Sequence, residues 1–250
     1  MSLTSTPLWS LCHLALKHPL IVTCCIGLGV IFLEENKPVV SITFDDGISS
    51  IYDHALPYMQ EKNMVGTIFV NTETIDTFGH MTTLNLKEFV SLGWEVGSHG
   101  HTHSDMTILT QEQLAYDLSL SVQNITDMTG IKPKTFATPY GSFNDDVIKV
   151  ASEYFDYHLN AWSDANGITT YENYDAMNIH RLDVANSSPE EICNIVSGLE
   201  NGDWFTIIMH DITDEPGKWN TSHQDFKKII DCIHGSGIQV KTVTEVLEKK

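Results

Sequence analysis

Two adjacent carboxylates, Asp45 and Asp46, close an apolar, β-prone run and are followed by Gly47. Further along, His99, His101 and His103 crowd into five positions. A lone Asp-Gly is a common turn dipeptide, and a lone H-x-x-x-H is commonly a surface pair, so neither identifies a site alone. Together they specify a chemistry. Two imidazoles and one carboxylate form a divalent-metal set that leaves coordination positions open for water and substrate, as a catalytic zinc site requires. The spacing of His99 and His103 predicts one helical turn with both rings on one face, and His101, pointing away, reads as a spectator. A cation in that set relieves the repulsion between the neighbouring aspartates. One aspartate then binds the metal, and the other takes a proton from the water the metal activates; the residues alone leave open which does which. Attack on an amide or ester also needs donors for the oxyanion and an acid for the leaving group. Tyr140, in the turn Pro139-Tyr-Gly141, can offer its backbone N–H, and His210, ending the run Trp204–Met209, is the candidate acid.

Such residues must be carried by a scaffold. From Pro38 onward, β-like runs alternate with helical patterns. Strands are expected at Val39–Phe44, Gly66–Val70, Trp94–Val96, Thr135–Thr138, Tyr157–Trp162, Asn178–Val184, Trp204–Met209 and Ile238–Val243. Thr110-Gln-Glu-Gln113 opens a helical run to about Met128, Ser188-Pro-Glu-Glu191 is a capping box with proline at the first helical position, and Gln224–Ile233 is amphipathic. This alternation predicts an α/β fold with about seven or eight parallel strands closed or nearly closed into a β/α barrel, an open doubly wound sheet being the alternative. In both architectures chemistry sits beyond the carboxyl ends of the strands. Asp45-Asp46, the histidine cluster, Pro139-Tyr-Gly141 and His210 all stand at such ends.

Composition narrows the function. A formal net charge of −19 argues against a nucleic-acid partner, which needs a clustered basic surface. The five cysteines make no disulfide framework and include no CxxC pair, so a cysteine zinc site is unsupported. Residues 1–37 form an N-terminal hydrophobic segment and residues 38–250 the catalytic domain. Within the former, residues 8–33 are largely apolar, interrupted by His13, Lys17, His18 and Pro19. Lys17 before the apolar part and Glu34-Glu35 after it favour a cytoplasmic N-terminus. We read the segment as a hydrophobic helix forming an uncleaved membrane anchor, with the body outside the cytoplasm or exported; a helix packed on the domain is the alternative.

In order and spacing, Thr43–Gly47 ("TFDDG"), Ser98–His103 ("SHGHTH"), Phe136–Gly141 ("FATPYG") and Ile207–His210 ("IIMH") resemble the motifs of the polysaccharide deacetylase family, carbohydrate esterase family 4. The resemblance covers about Pro38 to Glu248. It implies a distorted β/α barrel with one divalent metal, usually zinc with cobalt or nickel also accepted, that removes acetyl groups from N- or O-acetylated glycans. By motif position it implies Asp45 as general base, Asp46, His99 and His103 as metal ligands, the Tyr140 backbone as oxyanion donor and His210 as general acid. It implies an acetylated glycan as partner and no protein partner. Two departures stand out. Ala137 occupies the place of an arginine that holds the base in many members, and "AWSDANG" (Ala161–Gly167) matches the usual Asp-Trp motif poorly, with Trp162 or Asp164 as stand-ins. Arg181, the only arginine of the sequence, is the one residue able to supply a guanidinium to Asp45. The leading reading is an N-acetylglucosamine-glycan deacetylase. An O-acetyl esterase of the xylan type and a catalytically weak carbohydrate-binding domain are the alternatives.

Overall fold

In the computed structural model, which describes residues 36–161, 166–215 and 217–248, the first strand, β1 (Val39–Phe44), is buried along its whole length. Its period of two divides it between two environments. Val40, Ile42 and Phe44 join the apolar layer under the helices. Val39 belongs instead to the cluster inside the sheet with Phe69, Ala137, Leu159 and Trp204. Ser41 follows it inward, accepting from the Trp204 indole at 2.9 Å, and then Thr43, which donates to the Ile207 carbonyl at 2.8 Å.

The chain continues through a π-helical turn (Ile51–Ala55), α1 (Leu56–Gln60), β2 (Thr67–Val70), α2 (Thr83–Ser91), β3 (Glu95–Ser98), α3 (Gln111–Thr129), β4 (Thr135–Ala137), α4 (Asp145–Ala151) and β5 (Tyr157–Leu159). It then forms β6 (Ile168–Thr170), β7 (Leu182–Asp183), α5 (Pro189–Ser197), β8 (Asp203–Met209), α6 (His223–Ser236), β9 (Gln239–Val240) and α7 (Val243–Leu247). Both expected helix starts form, each as a capping box: Thr110 with Gln113 opens α3, and Ser188 with Glu191 opens α5 behind Pro189.

The sheet runs β5-β4-β3-β2-β1-β8-β6, with β7 also beside β8 and β9 beside β1. It is a curled sheet of mostly parallel strands with helices packed on it, the distorted β/α barrel the sequence predicts. Two details differ. β6 was not foreseen and lies antiparallel to the start of β8; three residues after a glycine show no readable period, and their direction is set by β8. The expected strand Asn178–Val184 is two short ladders. Ile179 bridges Leu159 of β5, and Leu182–Asp183 pairs with Ile207–Ile208 of β8. A stretch that leaves one sheet edge to join another must break its ladder between them, and Arg181 lies at the break. Inside the sheet, Gly97 of β3 makes room for the Phe69 ring, which a Cβ there would meet at 2.6 Å.

Cys193 of α5 and Cys232 of α6 form a disulfide, a pairing their spacing does not reveal. It closes a loop across a sequence separation of 39 residues, for which unfolded-chain entropy gives about 4 kcal/mol. Reduction, or the pair Cys193→Ser and Cys232→Ser, is expected to lower the denaturation midpoint while leaving metal affinity unchanged, because neither helix supplies a candidate ligand. Superimposed oxidised and reduced denaturation curves would contradict this. Among the described residues no helix is long and apolar enough to cross a membrane; the segment 8–33 lies outside them.

Candidate active site

The inward stripe of β1, Val39, Ser41 and Thr43, is continued by Asp45, which is 2% exposed. A strict strand would send Asp46 outward. Its backbone is instead left-handed (φ 70°), followed by Gly47 at φ 67°, and this redirects the second carboxylate to the same mouth. The Asp46 carbonyl is held by the Asn71 side-chain amide at 3.2 Å. Phe44 is paired in register with Met209, so the residues after them, Asp45 and His210, leave neighbouring strand ends together.

His99 follows β3 and is also buried. Its Nδ1–H donates to the Ala137 carbonyl at 2.8 Å, which turns Nε2 toward the aspartates and leaves that nitrogen to act as a ligand. The expected helical turn does not exist: residues 99–103 form a loop, and His103 has φ 54°. That conformation, rather than helical periodicity, brings the second imidazole round. Asp46 Oδ1 lies 3.4 Å from His99 Nε2 and 3.0 Å from His103 Nε2. Among the described residues, Asp46, His99 and His103 are the one set of at least three such side chains with donor atoms within 4.8 Å of one another. Two imidazoles and a carboxylate suit a divalent cation of the zinc, cobalt or nickel type. The His99 side chain is 3% exposed, whereas those of Asp46 and His103 are 26% and 27% exposed, so the set opens to solvent on one side only. His101 turns away, its Nδ1 2.8 Å from the Thr72 hydroxyl.

Among the described residues, three of the six non-glycine residues in left-handed backbone, Asp46, His103 and Tyr140, stand at this mouth. Each conformation costs roughly 1–3 kcal/mol and persists only where surrounding contacts over-determine it. Tyr140, at φ 60° in the turn after β4, places its ring 4.7 Å from that of His103.

Arg181 approaches from the stretch between β5 and β8. It is 1% exposed and forks onto Asp45, Nη1 to Oδ1 at 2.8 Å and Nη2 to Oδ2 at 3.0 Å. Its Nη1 also donates to Thr43 Oγ1 at 3.1 Å, its Nε donates to the Asn160 carbonyl at 3.0 Å, and the guanidinium lies over the Phe69 ring. Burial opposes ionisation of Asp45, but the Arg181 charge, then that of His99, lowers its pKa below the ordinary value. For Asp46 burial again opposes, and hydrogen bonds from His103 and His99 hold the carboxyl well below the usual range. His99 is disfavoured as a cation by burial, yet Asp45 and Asp46 raise its pKa.

The sequence carries the motif order of a known family over the same residues. The polysaccharide deacetylase model matches residues 33–155, which include Asp45, Asp46, His99, His103 and Tyr140. By sequence, this stretch belongs to the polysaccharide deacetylase family. Chitin deacetylase 1 of Cryptococcus neoformans var. grubii is 31% identical over 118 residues, 47% of this chain and 24% of its own length. The bifunctional xylanase/deacetylase of Pseudobutyrivibrio xylanivorans is 23% identical over 221 residues, 86% of this chain and 31% of its own length. The chain thus spans less than a third of the length of these two relatives. The family 4 carbohydrate esterase from Streptomyces lividans, solved in complex with acetate, superposes with a TM-score of 0.57 at 25% identity, covering 82% of this chain and 92% of that one.

No guanidinium comes from the end of β4, where Ala137 is buried; the Asp45 fork comes from Arg181 on the stave between β5 and β8. Trp162 and Asp164 lie outside the described residues. His210 stands at the end of β8 with Nδ1 buried and without a hydrogen-bond partner among the described residues. One neighbour was missed: Trp219 sits 5.9 Å, ring to ring, from His210. It lies in a loop of glycine and polar residues with no period, and only the bridge between Ile212 and Thr221 that folds this loop back shows where the indole goes.

Proposed function

We propose that this chain is a metal-dependent deacetylase acting on an N-acetylated, N-acetylglucosamine-containing glycan. One observation carries the reading: a buried aspartate gripped on both oxygens by arginine lies beside a two-histidine, one-aspartate set at a single mouth. A divalent cation held by Asp46, His99 and His103 would polarise the acetyl carbonyl and make the attacking water more acidic. Asp45 takes a proton from that water as its oxygen bonds to the carbonyl carbon. Its lowered pKa keeps it ionised at neutral pH, and the Arg181 fork holds it in one orientation. The backbone N–H of Tyr140 is assigned to the developing oxyanion. His210 gives a proton to the amide nitrogen as the C–N bond breaks, leaving acetate and a free amine. The net charge of −19 suits a neutral or partly deacetylated, cationic glycan. We place the protein outside the cytoplasm, anchored through residues 8–33, a reading supported by the disulfide, which persists in oxidising surroundings.

The test is acetate release by the full chain from N-acetylglucosamine oligomers, after chelation and after adding back zinc or cobalt. Release only with metal is expected. Metal-dependent release from acetylated xylan alone would move the reading to an O-acetyl esterase. Silence on both, with metal and glycan bound, would make the chain a carbohydrate-binding domain.

A further inference from the structure

Because residues 99–103 are a loop and not a helix, the peptide groups between the two imidazoles must find partners elsewhere. The carbonyls are met from the end of β2: Thr72 N–H donates to Gly100 and Glu73 N–H to His101. The N–H groups of His101 and Thr102 both go to one side chain. Asp117 Oδ1 accepts from His101 N–H at 2.7 Å, and Oδ2 accepts from Thr102 N–H at 3.0 Å and from the Thr102 hydroxyl at 2.7 Å. Asp117 is 4% exposed and lies on the apolar stripe of α3 with Leu114, Leu118 and Ile125. No lysine or arginine among the described residues is within ion-pair distance of it. A carboxylate there is costly for the helix and the core; the charge-assisted bonds to the loop offset that cost. The fit is close, since a Cβ at Gly100 would meet Asp117 Oδ1 at 2.9 Å.

We propose that Asp117 is a positioning residue for the metal set: it locks the turn between His99 and His103, so that both Nε2 atoms meet at Asp46. This rests on the reading of those three residues as ligands. Asp117→Asn keeps the side-chain shape and one acceptor but opposes the Thr102 N–H with a second donor. The measurements are zinc affinity of the full chain by chelator competition, the visible spectrum of the cobalt form, and thermal unfolding after chelation. The variant is expected to bind zinc about 10–100-fold more weakly and to show altered cobalt bands. Unfolding of its metal-free form should stay within a few degrees of the wild type. Zinc affinity within twofold of the wild type would overturn the proposal. Should Asp117→Asn fail to fold, Asp117→Ser removes the two-oxygen acceptor with a smaller side chain, and an unchanged affinity there overturns it equally. A wild-type chain that binds no zinc sinks both this inference and the deacetylase reading. One that binds zinc but releases no acetate sinks the deacetylase alone, and the affinity comparison still decides Asp117.

Discussion

Asp45→Asn is expected to remove acetate release by about a thousandfold or more while zinc stays bound. Asparagine matches the shape of aspartate but cannot accept the proton of the attacking water, and a positioned general base supplies roughly 10²–10⁴-fold. The loss should fall on kcat with KM little changed, because the interaction is made on the way to the transition state. Zinc affinity discriminates this from damage to the metal set. Asp45 Oδ2 stands 3.9 Å from His99 Nε2, but Asp46 Oδ1 makes the nearer contacts to both imidazoles, so Asp46→Asn is expected to lose metal and activity together. Asp45→Asn also leaves the buried Arg181 without its counter-charge, a change that costs about 3–5 kcal/mol in comparable pairs. Rates are therefore to be read below its lowered unfolding midpoint. A folded, zinc-bound Asp45→Asn protein retaining a tenth of the wild-type kcat would remove Asp45 from the role of base.

The second large effect is expected at Arg181. Arg181→Lys keeps the positive charge but replaces a planar fork with a point charge that cannot span both oxygens of Asp45, the Thr43 hydroxyl and the Asn160 carbonyl at once. Turnover should fall about a hundredfold or more. Arg181→Met removes the charge and is expected to cost stability of the size seen when a buried pair is broken, about 3–5 kcal/mol. The pH profile distinguishes positioning from scaffolding. With the guanidinium present, Asp45 titrates below its ordinary value; without it, burial is less opposed and the carboxyl pKa rises. The acid limb of kcat/KM should then move to higher pH in Arg181→Met. Stability follows the same sign. A carboxyl with a lowered folded-state pKa adds stability that is present above about pH 4 and lost as pH falls through the folded value, and Arg181→Met should lose that contribution. Unchanged turnover in Arg181→Lys and an unmoved acid limb in Arg181→Met would reduce Arg181 to a structural ion pair.

The Arg181–Asp45 fork also shows how much of this site a sequence can carry. With a single arginine in the chain, elimination pointed to Arg181, but it could not show that the side chain reaches inward. That depends on the stave joining β5 to β8, where the ladder breaks between Ile179 and Leu182. The four motif clusters were legible because strand ends are local: an apolar run, a turn residue and a chemically able side chain lie within a few positions. Asp117 had a local signal too, a carboxylate on the apolar stripe of a helix, but its target lies on a loop 15 residues away. Trp219 had none.

Sequence by itself determined the parallel α/β scaffold and the residues at its strand ends, since strand period and helix capping act within a few residues. Tertiary structure alone decided the left-handed turns that aim Asp46 and His103, the antiparallel β6, the Cys193–Cys232 bridge and the meeting of Arg181 with Asp45 across a separation of 136 residues. The reason is physical. Periodicity fixes which face a side chain takes, whereas which faces meet depends on strand register and sheet curvature, which are settled only when the whole sheet has formed.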